Sequence, residues 1–260
     1  MQNNPDFALD QLTPTKLLLL QLSDDRLVLG QRLGEWCGHG PMIEEDIALS
    51  NIALDLFGHA TNGLEIVARE LGSGVTADRL AFFREPKDFK NLQLVEQPNG
   101  DFAATIVRQF LFDAYSVSIL EQIADKGLHG DEELAGWAEK CLKEDRYHLR
   151  HSGEWVLRLG DGTAESHRRT QEAIDTLWRF TGELQTPVAA TKDVASLNYL
   201  ALTEKWIATV RNVFNAGKLT IPATPTMFSV GGRAGKHSEH LSHLLGVMQV
   251  LPRSDPTAIW

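Results

Sequence analysis

Cysteine is nearly missing from this 260-residue chain: Cys37 and Cys141 are the two it has, too few for a disulfide framework and not spaced as a CxxC metal knuckle. That scarcity fits a reducing, cytoplasmic setting. Long apolar runs are missing as well. A run such as Leu17–Leu20 is far too short to cross a bilayer. The opening MQNNPDFALD has no basic stretch followed by an apolar one, so no secretory signal is read. Positive charge is in deficit, with 25 Lys and Arg against 35 Asp and Glu and a net charge of −10. Such a surface repels phosphate backbones and anionic headgroups, so neither nucleic acid nor membrane is expected as a partner. No nucleophile sits on a tight strand-to-helix turn, which argues against a Ser-His-Asp triad. Strand-like alternation is absent too, and the chain reads as all-α.

What is present is helical punctuation. Thr13-Pro14 is an N-cap and first helical residue, followed by periodic apolar positions to Trp36 and a stop at CGHG. Pro41 opens a second helix with Glu44 and Glu45 in its first turn, where they favour the dipole, and glycines 72 and 74 at its end. A connection of nearly thirty residues follows, with one short amphipathic piece around Arg79 to Arg84, long for a simple loop. A second hairpin then mirrors the first: DFAATIVRQFLFDAYSVSILEQIADKG, the tight LHG turn, and DEELAGWAEKCLKEDRYHLRHSGEWVLRLG. Two long helical hairpins joined by a long crossover is the layout of a ferritin-like four-helix bundle. Further helical patterns cover about 163–184, 196–217 and 237–250. The expectation is a single ferritin-like domain over 1–260, with its core bundle in about 14–160 and extra helices in about 163–250.

Acids interrupt the apolar stripes. At about 100° per residue, Asp25 falls among Leu18, Leu22, Leu29 and Trp36. Asp55 and His59 fall beside Ile52 and Leu56. Asp113 lies among Ile106, Phe110, Val117 and Leu120. Asp145 and His148 lie with Cys141, Ser152, Trp155 and Leu159, and Glu144 is at the stripe's edge. Asp25 and Asp55 are equidistant from Gly40, and Asp113 and Asp145 from His129, so the acids are expected at one level of the bundle. One acid per helix, with a histidine three residues after one of them, resembles a carboxylate-bridged di-iron set. The pattern departs from that set. Asp is one methylene shorter than Glu, and His59 follows its acid by four residues rather than three. Arg26 and Arg32 lie near Asp25, and a guanidinium there could neutralise the acids without metal. At this level both a metal site and a metal-free buried network stand open.

Other signals are weaker. GGRAGKHSEHLSH gathers Arg233, Lys236, His237, His240 and His243 near glycines, which would suit a phosphate, yet it is not a P-loop, and a solvated turn is the plainer expectation. His237 and His240 without a third ligand are a poor zinc site. Trp155 and Trp178 are expected in the core, and Cys141 is expected to be an inert buried thiol.

Several runs are too long and irregular to arise from helical composition: QRLGEWCGHGP, NIALDLFGHA, QLVEQPNGDFAATIVRQF, RYHLRHSGEWVLRLGDGT, LWRFTGEL and GGRAGKHSEHL. Together they resemble the C-type, structural ferritin-like subunits of the phenylacetyl-CoA epoxidase (phenylacetate-CoA oxygenase) family, over roughly residues 20–250. The resemblance implies a non-catalytic structural subunit of a multicomponent oxygenase in aerobic phenylacetate degradation. It implies as partners a homologous catalytic subunit, which would hold the di-iron centre, and further subunits of the same complex including a reductase. No catalytic, cofactor-binding or metal-binding residue is then expected in this chain. Asp25, Asp55, His59, Asp113, Glu144, Asp145 and His148 become vestiges of a duplicated metal site, now a charged network in the core. The family pattern tolerates an amide at the position of His59. The rival readings are an autonomous di-iron enzyme using this same cluster and a self-associating ferritin-like storage protein.

Overall fold

A computed structural model describes residues 7–72, 74–125, 130–186, 194, 197–223 and 227–256. Among these residues every regular element is helical. Helix α1 (Pro14–Gly34) begins at the predicted proline, but Thr13 does not cap it. Its N–H and hydroxyl instead donate to Glu70, at 2.6 and 3.1 Å, and so tie the start of α1 to the end of α2 (Ile43–Leu71). The turn between them closes when the Gly38 N–H donates to Asp46 at 2.9 Å. Gly40 belongs there for steric reasons, since a Cβ would lie 2.7 Å from the Asp46 backbone. Residues 18–30 of α1 are buried on every side, including Gln21, Ser23, Asp24, Asp25 and Arg26.

The long connection is core rather than loop. After the short helix α3 (Ala77–Phe82), capped by Thr76 accepting from the Arg79 N–H, the chain makes a single 3-10 turn at Pro86–Asp88. Phe89, Asn91, Leu92, Leu94, Val95 and Glu96 are then fully buried.

The second hairpin consists of α4 (Phe102–Ala124), capped by Asp101, and α5 (Glu132–Gly160), capped by Asp131. Leu128 and His129 of the predicted LHG turn lie outside the described residues. The pattern over 163–184 divides into α6 (Ala164–Leu177) and a 3-10 helix over Trp178–Gln185. The tightening has a local cause: Gly182 lies against Phe228, where a Cβ would be 2.6 Å from that side chain, and the Ser229 N–H donates to the Arg179 carbonyl at 2.8 Å. Helix α7 (Tyr199–Ala216) buries Leu202, Trp206, Val210 and Phe214 at four-residue intervals. Trp206 stacks on Trp178 at 5.7 Å between centroids and donates its indole N–H to Leu111 at 3.0 Å, so Trp178 is core as expected. Trp155 departs from expectation. It is half-buried, set edge-on to Phe102 at 5.2 Å with Arg158 over its ring, because the buried face of α5 continues through Ser152 and Val156 and leaves Trp155 at its edge. The C-terminal segment adds α8 (Glu239–Met248) and α9 (Val250–Ser254).

Contacts divide the chain into two compact units, Met1–Pro98 with Val188–Val194 and Gly231–Trp260, and Asn99–Pro187 with Ala195–Val230. In the first, α1 packs on α2 and α8, and in the second α4 packs on α5, α6 and α7. The element order, two long hairpins with a long connection and additional C-terminal helices, is that of the ferritin-like all-α class. No described helix is long and apolar enough to cross a membrane.

One glycine joins the C-terminal segment to the connection. Gly235 has φ +79°, and a Cβ there would stand 2.2 Å from the Lys87 carbonyl oxygen. Gly235→Ala therefore combines a left-handed penalty of about 1–2 kcal/mol with a backbone clash. Its thermal midpoint is expected to fall well below that of Gly246→Ala, where a Cβ meets nothing within 4 Å.

Candidate functional site

The acids of the first unit are the place to begin. Asp24 and Asp25 are consecutive in α1, about 100° apart around the helix, and both are fully buried. Isolated carboxylates cannot be left there, because desolvating an unpaired charge is very unfavourable. Each has a guanidinium. Arg233 reaches Asp25 with Nη2 on Oδ2 at 2.7 Å and Nη1 on Oδ1 at 3.0 Å, while the Leu92 N–H donates to Oδ1 at 2.7 Å. Nη1 of Arg233 also serves the carbonyls of Gln21 and Lys90, both at 2.8 Å. Arg84 pairs with Asp24 through both terminal nitrogens, and the Lys90 N–H adds a bond to Asp24 at 2.8 Å. The Arg84 guanidinium lies 4.2 Å from the Phe89 ring centroid, a cation–π contact away from water. Burial pushes the Asp25 carboxyl above its ordinary value, and the Arg233 charge, the Leu92 N–H and Arg26 pull the other way.

A third buried acid, Glu96, completes this network. It accepts from the Ser238 N–H at 2.6 Å and from Asn91 at 3.0 Å, and His237 Nδ1 lies 2.8 Å away. His237 Nε2 faces the Phe89 carbonyl at 3.0 Å, so the ring is held at both nitrogens. Arg32, expected beside Asp25, goes instead to the Glu96 carbonyl, at 2.8 Å from Nη2, and to Glu35.

This network corrects the expected solvated turn at Arg233–His243. Arg233 is 8% exposed and the His237 side chain 4%. Lys236 and His243 remain on the surface, but the Lys236 carbonyl accepts from Gln93 at 2.7 Å and the His240 carbonyl from Arg32 at 3.2 Å. A guanidinium already committed to a carboxylate and two carbonyls is not available to a CoA phosphate. Sequence reasoning missed Asp24, Arg84 and Glu96. The one signal was the SDDR run itself, two adjacent acids in a helix whose flanks are leucine on both sides.

In the second unit, α4 and α5 bring Asp113, Asp145 and His148 together through serines. Asp113 accepts from Gln109 at 2.7 Å and faces the Ser152 hydroxyl at 2.7 Å, while Ser116 donates to Asp145 at 2.5 Å. His148 Nδ1 is 3.7 Å from Asp145 Oδ1, a charge contact beyond hydrogen-bond length. Burial, opposed by the His148 charge and by Ser152, pushes the Asp113 carboxyl up to about 7. The protonated acid fits its surroundings: its O–H can donate to Ser152, whose own hydroxyl proton then goes to the His148 carbonyl at 2.9 Å. Cys141 is buried on the same helix, as expected of a structural thiol.

The remaining candidates are placed less centrally. Asp55 and Glu144 are half-buried, and His59 is buried four residues after Asp55. Asp25 takes its partners from Arg233 and Leu92 rather than from α2. Among the described residues of either unit, no three His, Cys, Asp or Glu side chains assemble in metal-holding geometry. A di-iron centre needs carboxylate oxygens that face the metals. Here both oxygens of Asp25 face one guanidinium, and those of Asp113 face a serine and a glutamine, so this donor set does not fit such a centre.

Two outcomes follow from the geometry. Arg233→Ala strands Asp25 and should lose roughly 3–5 kcal/mol of unfolding free energy in denaturant titration, and Arg233→Lys should recover little, since one ammonium cannot replace a bidentate fork. Asp113 sets the sign of a pH dependence. The folded acid keeps its proton up to about 7, whereas the unfolded acid releases it near 3.9, so folding takes up a proton between these values. Its contribution is complete below about pH 4 and is lost as pH rises to about 7, on the order of 4 kcal/mol in all. Asp113→Asn should flatten that fall in stability, as read from unfolding curves at stepped pH.

Comparison with known proteins places this arrangement. The family model described as phenylacetic acid catabolic protein matches residues 3–260. The chain is 44% identical over 245 residues to the C subunit of the 1,2-phenylacetyl-CoA epoxidase of Escherichia coli (strain K12), an alignment spanning 93% of this chain and 97% of that one. A match that runs through both hairpins, the buried connection and the C-terminal segment carrying Arg233 includes every part of the network described above, and the chain belongs to the phenylacetic acid catabolic protein family.

Proposed function

We propose that this chain is a non-catalytic, structural subunit of a cytoplasmic multicomponent oxygenase that epoxidises the ring of phenylacetyl-CoA. In this reading it pairs with a homologous catalytic subunit that carries the di-iron centre, with electrons delivered by a reductase subunit. The near full-length identity to a protein named as the C subunit of that epoxidase carries the reading. The engagement of Asp25 by Arg233 supports it from the chemistry, because a carboxylate saturated by a guanidinium is a poor ligand and a good structural element. The role left to the chain is to hold a partner through a surface, with its buried acids serving stability.

The experiment is co-expression with the neighbouring oxygenase subunits, followed by size exclusion and iron quantification of each species. A stable complex is expected, with well over ~2,000 Å² buried as in obligate pairs, and the chain purified alone should carry much less than one iron and show no oxygenase activity. Two tightly held irons per isolated chain would instead favour the autonomous di-iron enzyme. Separate elution at micromolar concentration would remove the partner role.

A further inference from the structure

Helix α2 shows the solvent an apolar face that none of the described residues covers. Ile43, Ile47 and Leu54 are 71%, 56% and 65% exposed, and Met42 precedes them at 47%. At 3.6 residues per turn these three share one stripe with Gly58 and Thr61, all within about 60° around the axis and spanning roughly 27 Å along it. A lone exposed apolar residue is ordinary, but three on one helix face, interrupted by Ser50 alone, are a mark of an interaction surface.

Gly58 leaves this face open to a close approach, as Gly136 leaves its own face of α5. Gly58 is exposed in the interior of a 29-residue helix, where glycine weakens the helix relative to almost any other residue. Its φ is not positive, and no atom lies within 4 Å of where its Cβ would stand. Neither backbone conformation nor packing inside the chain calls for a glycine here. Close approach of another backbone would use one. A cavity of about 270 Å³ between α2, α1 and α3, lined by Leu27, Phe57, Leu64 and Phe82 with Gln31 and Asp78, adjoins the stripe at Thr61 and offers an apolar side chain a place to enter.

Charge selects the occupant. From Pro41 to Ala68 there is no Lys or Arg, while Glu44, Asp46, Asp55 and Glu65 flank the stripe. A second copy of the chain seated face to face would set acids against acids. We propose that this face of α2 docks a different subunit, through a helix that packs closely at Gly58, inserts an apolar anchor beside Thr61 and carries Lys or Arg at its rim. The inference rests on the reading of the chain as the partner of a homologous oxygenase subunit, and adds where that partner sits.

The test titrates wild type, Gly58→Leu, Ile47→Asp and Val247→Asp against the co-expressed catalytic subunit, with melting curves and sedimentation of each free chain. Gly58→Leu should fold at least as well as wild type, since leucine is the better helix former and has room. Both α2 variants should bind at least tenfold more weakly, while Val247→Asp, a change at a 79% exposed position on α8, should bind as wild type does. Wild-type affinity in Gly58→Leu and Ile47→Asp would overturn the docking face and leave the subunit reading intact. A wild-type homodimer abolished by Gly58→Leu would overturn the choice of a different subunit. Absence of any complex with wild type would overturn the subunit reading itself, and the docking face with it.

Discussion

The constraint on which the first unit depends is that two adjacent carboxylates, Asp24 and Asp25, are held in a helix with no side facing water. Nothing local can neutralise both. Arg26 is their neighbour in sequence, yet its Nη1 donates to the Leu22 carbonyl of its own helix. Cations must therefore come from afar, and they do: Arg84 from 60 residues along the chain and Arg233 from 208. Because a buried ion pair is stabilising only when both members are present and well hydrogen-bonded, these two pairs order the connection after α3 and the C-terminal segment at the same time. The backbone N–H groups of Lys90 and Leu92 then bond to the same carboxylates, which gives a stretch without regular secondary structure the partners its burial demands.

The second unit handles its acids differently. Asp113 accepts from Gln109 and faces Ser152, Ser116 donates to Asp145, and the balance between burial and the His148 charge raises the Asp113 carboxyl to about 7. Neighbouring solutions to one problem thus have different consequences. The first unit rests on permanent ion pairs, whereas the second includes an acid whose proton is exchanged within the physiological range. Within this hairpin Asp113 and Asp145 meet hydroxyls and an amide from its own helices. A ferritin-like fold does not by itself fix the chemistry of the acids in its core.

Much of the architecture was legible in the sequence. Thr13-Pro14, Asp101, Asp131 and the glycines at 72 and 74 mark helix ends by local chemistry, and the leucine, isoleucine and phenylalanine positions of α4 and α7 fix buried faces by spacing alone. Local capping failed as a guide at Thr13, whose hydroxyl is taken by Glu70 from α2, and periodicity failed at Trp178, where Gly182 against Phe228 tightens the helix. Asp145 and His148 lie three residues apart in α5, and the packing of α4 on α5 brings Asp113 to the same place, a proximity that helical spacing makes visible. Asp24 and Glu96 were not found, because an acid next to another acid in a helix normally reads as its solvated side.

By itself the sequence determined an all-α chain with two long hairpins, acids placed inside apolar stripes and too few cysteines for any covalent frame, since each of these follows from residues close together along the chain. Tertiary structure alone decided which cation meets which acid. It sent Arg32 to the Glu96 carbonyl, drew Arg233 and His237 from an expected surface turn into the interior, and left Ile43, Ile47 and Leu54 outside. The physical reason is range. Helix periodicity and capping act over four residues, but the partner of a buried charge is set by where the folded chain returns, and in this protein it returns after more than two hundred residues.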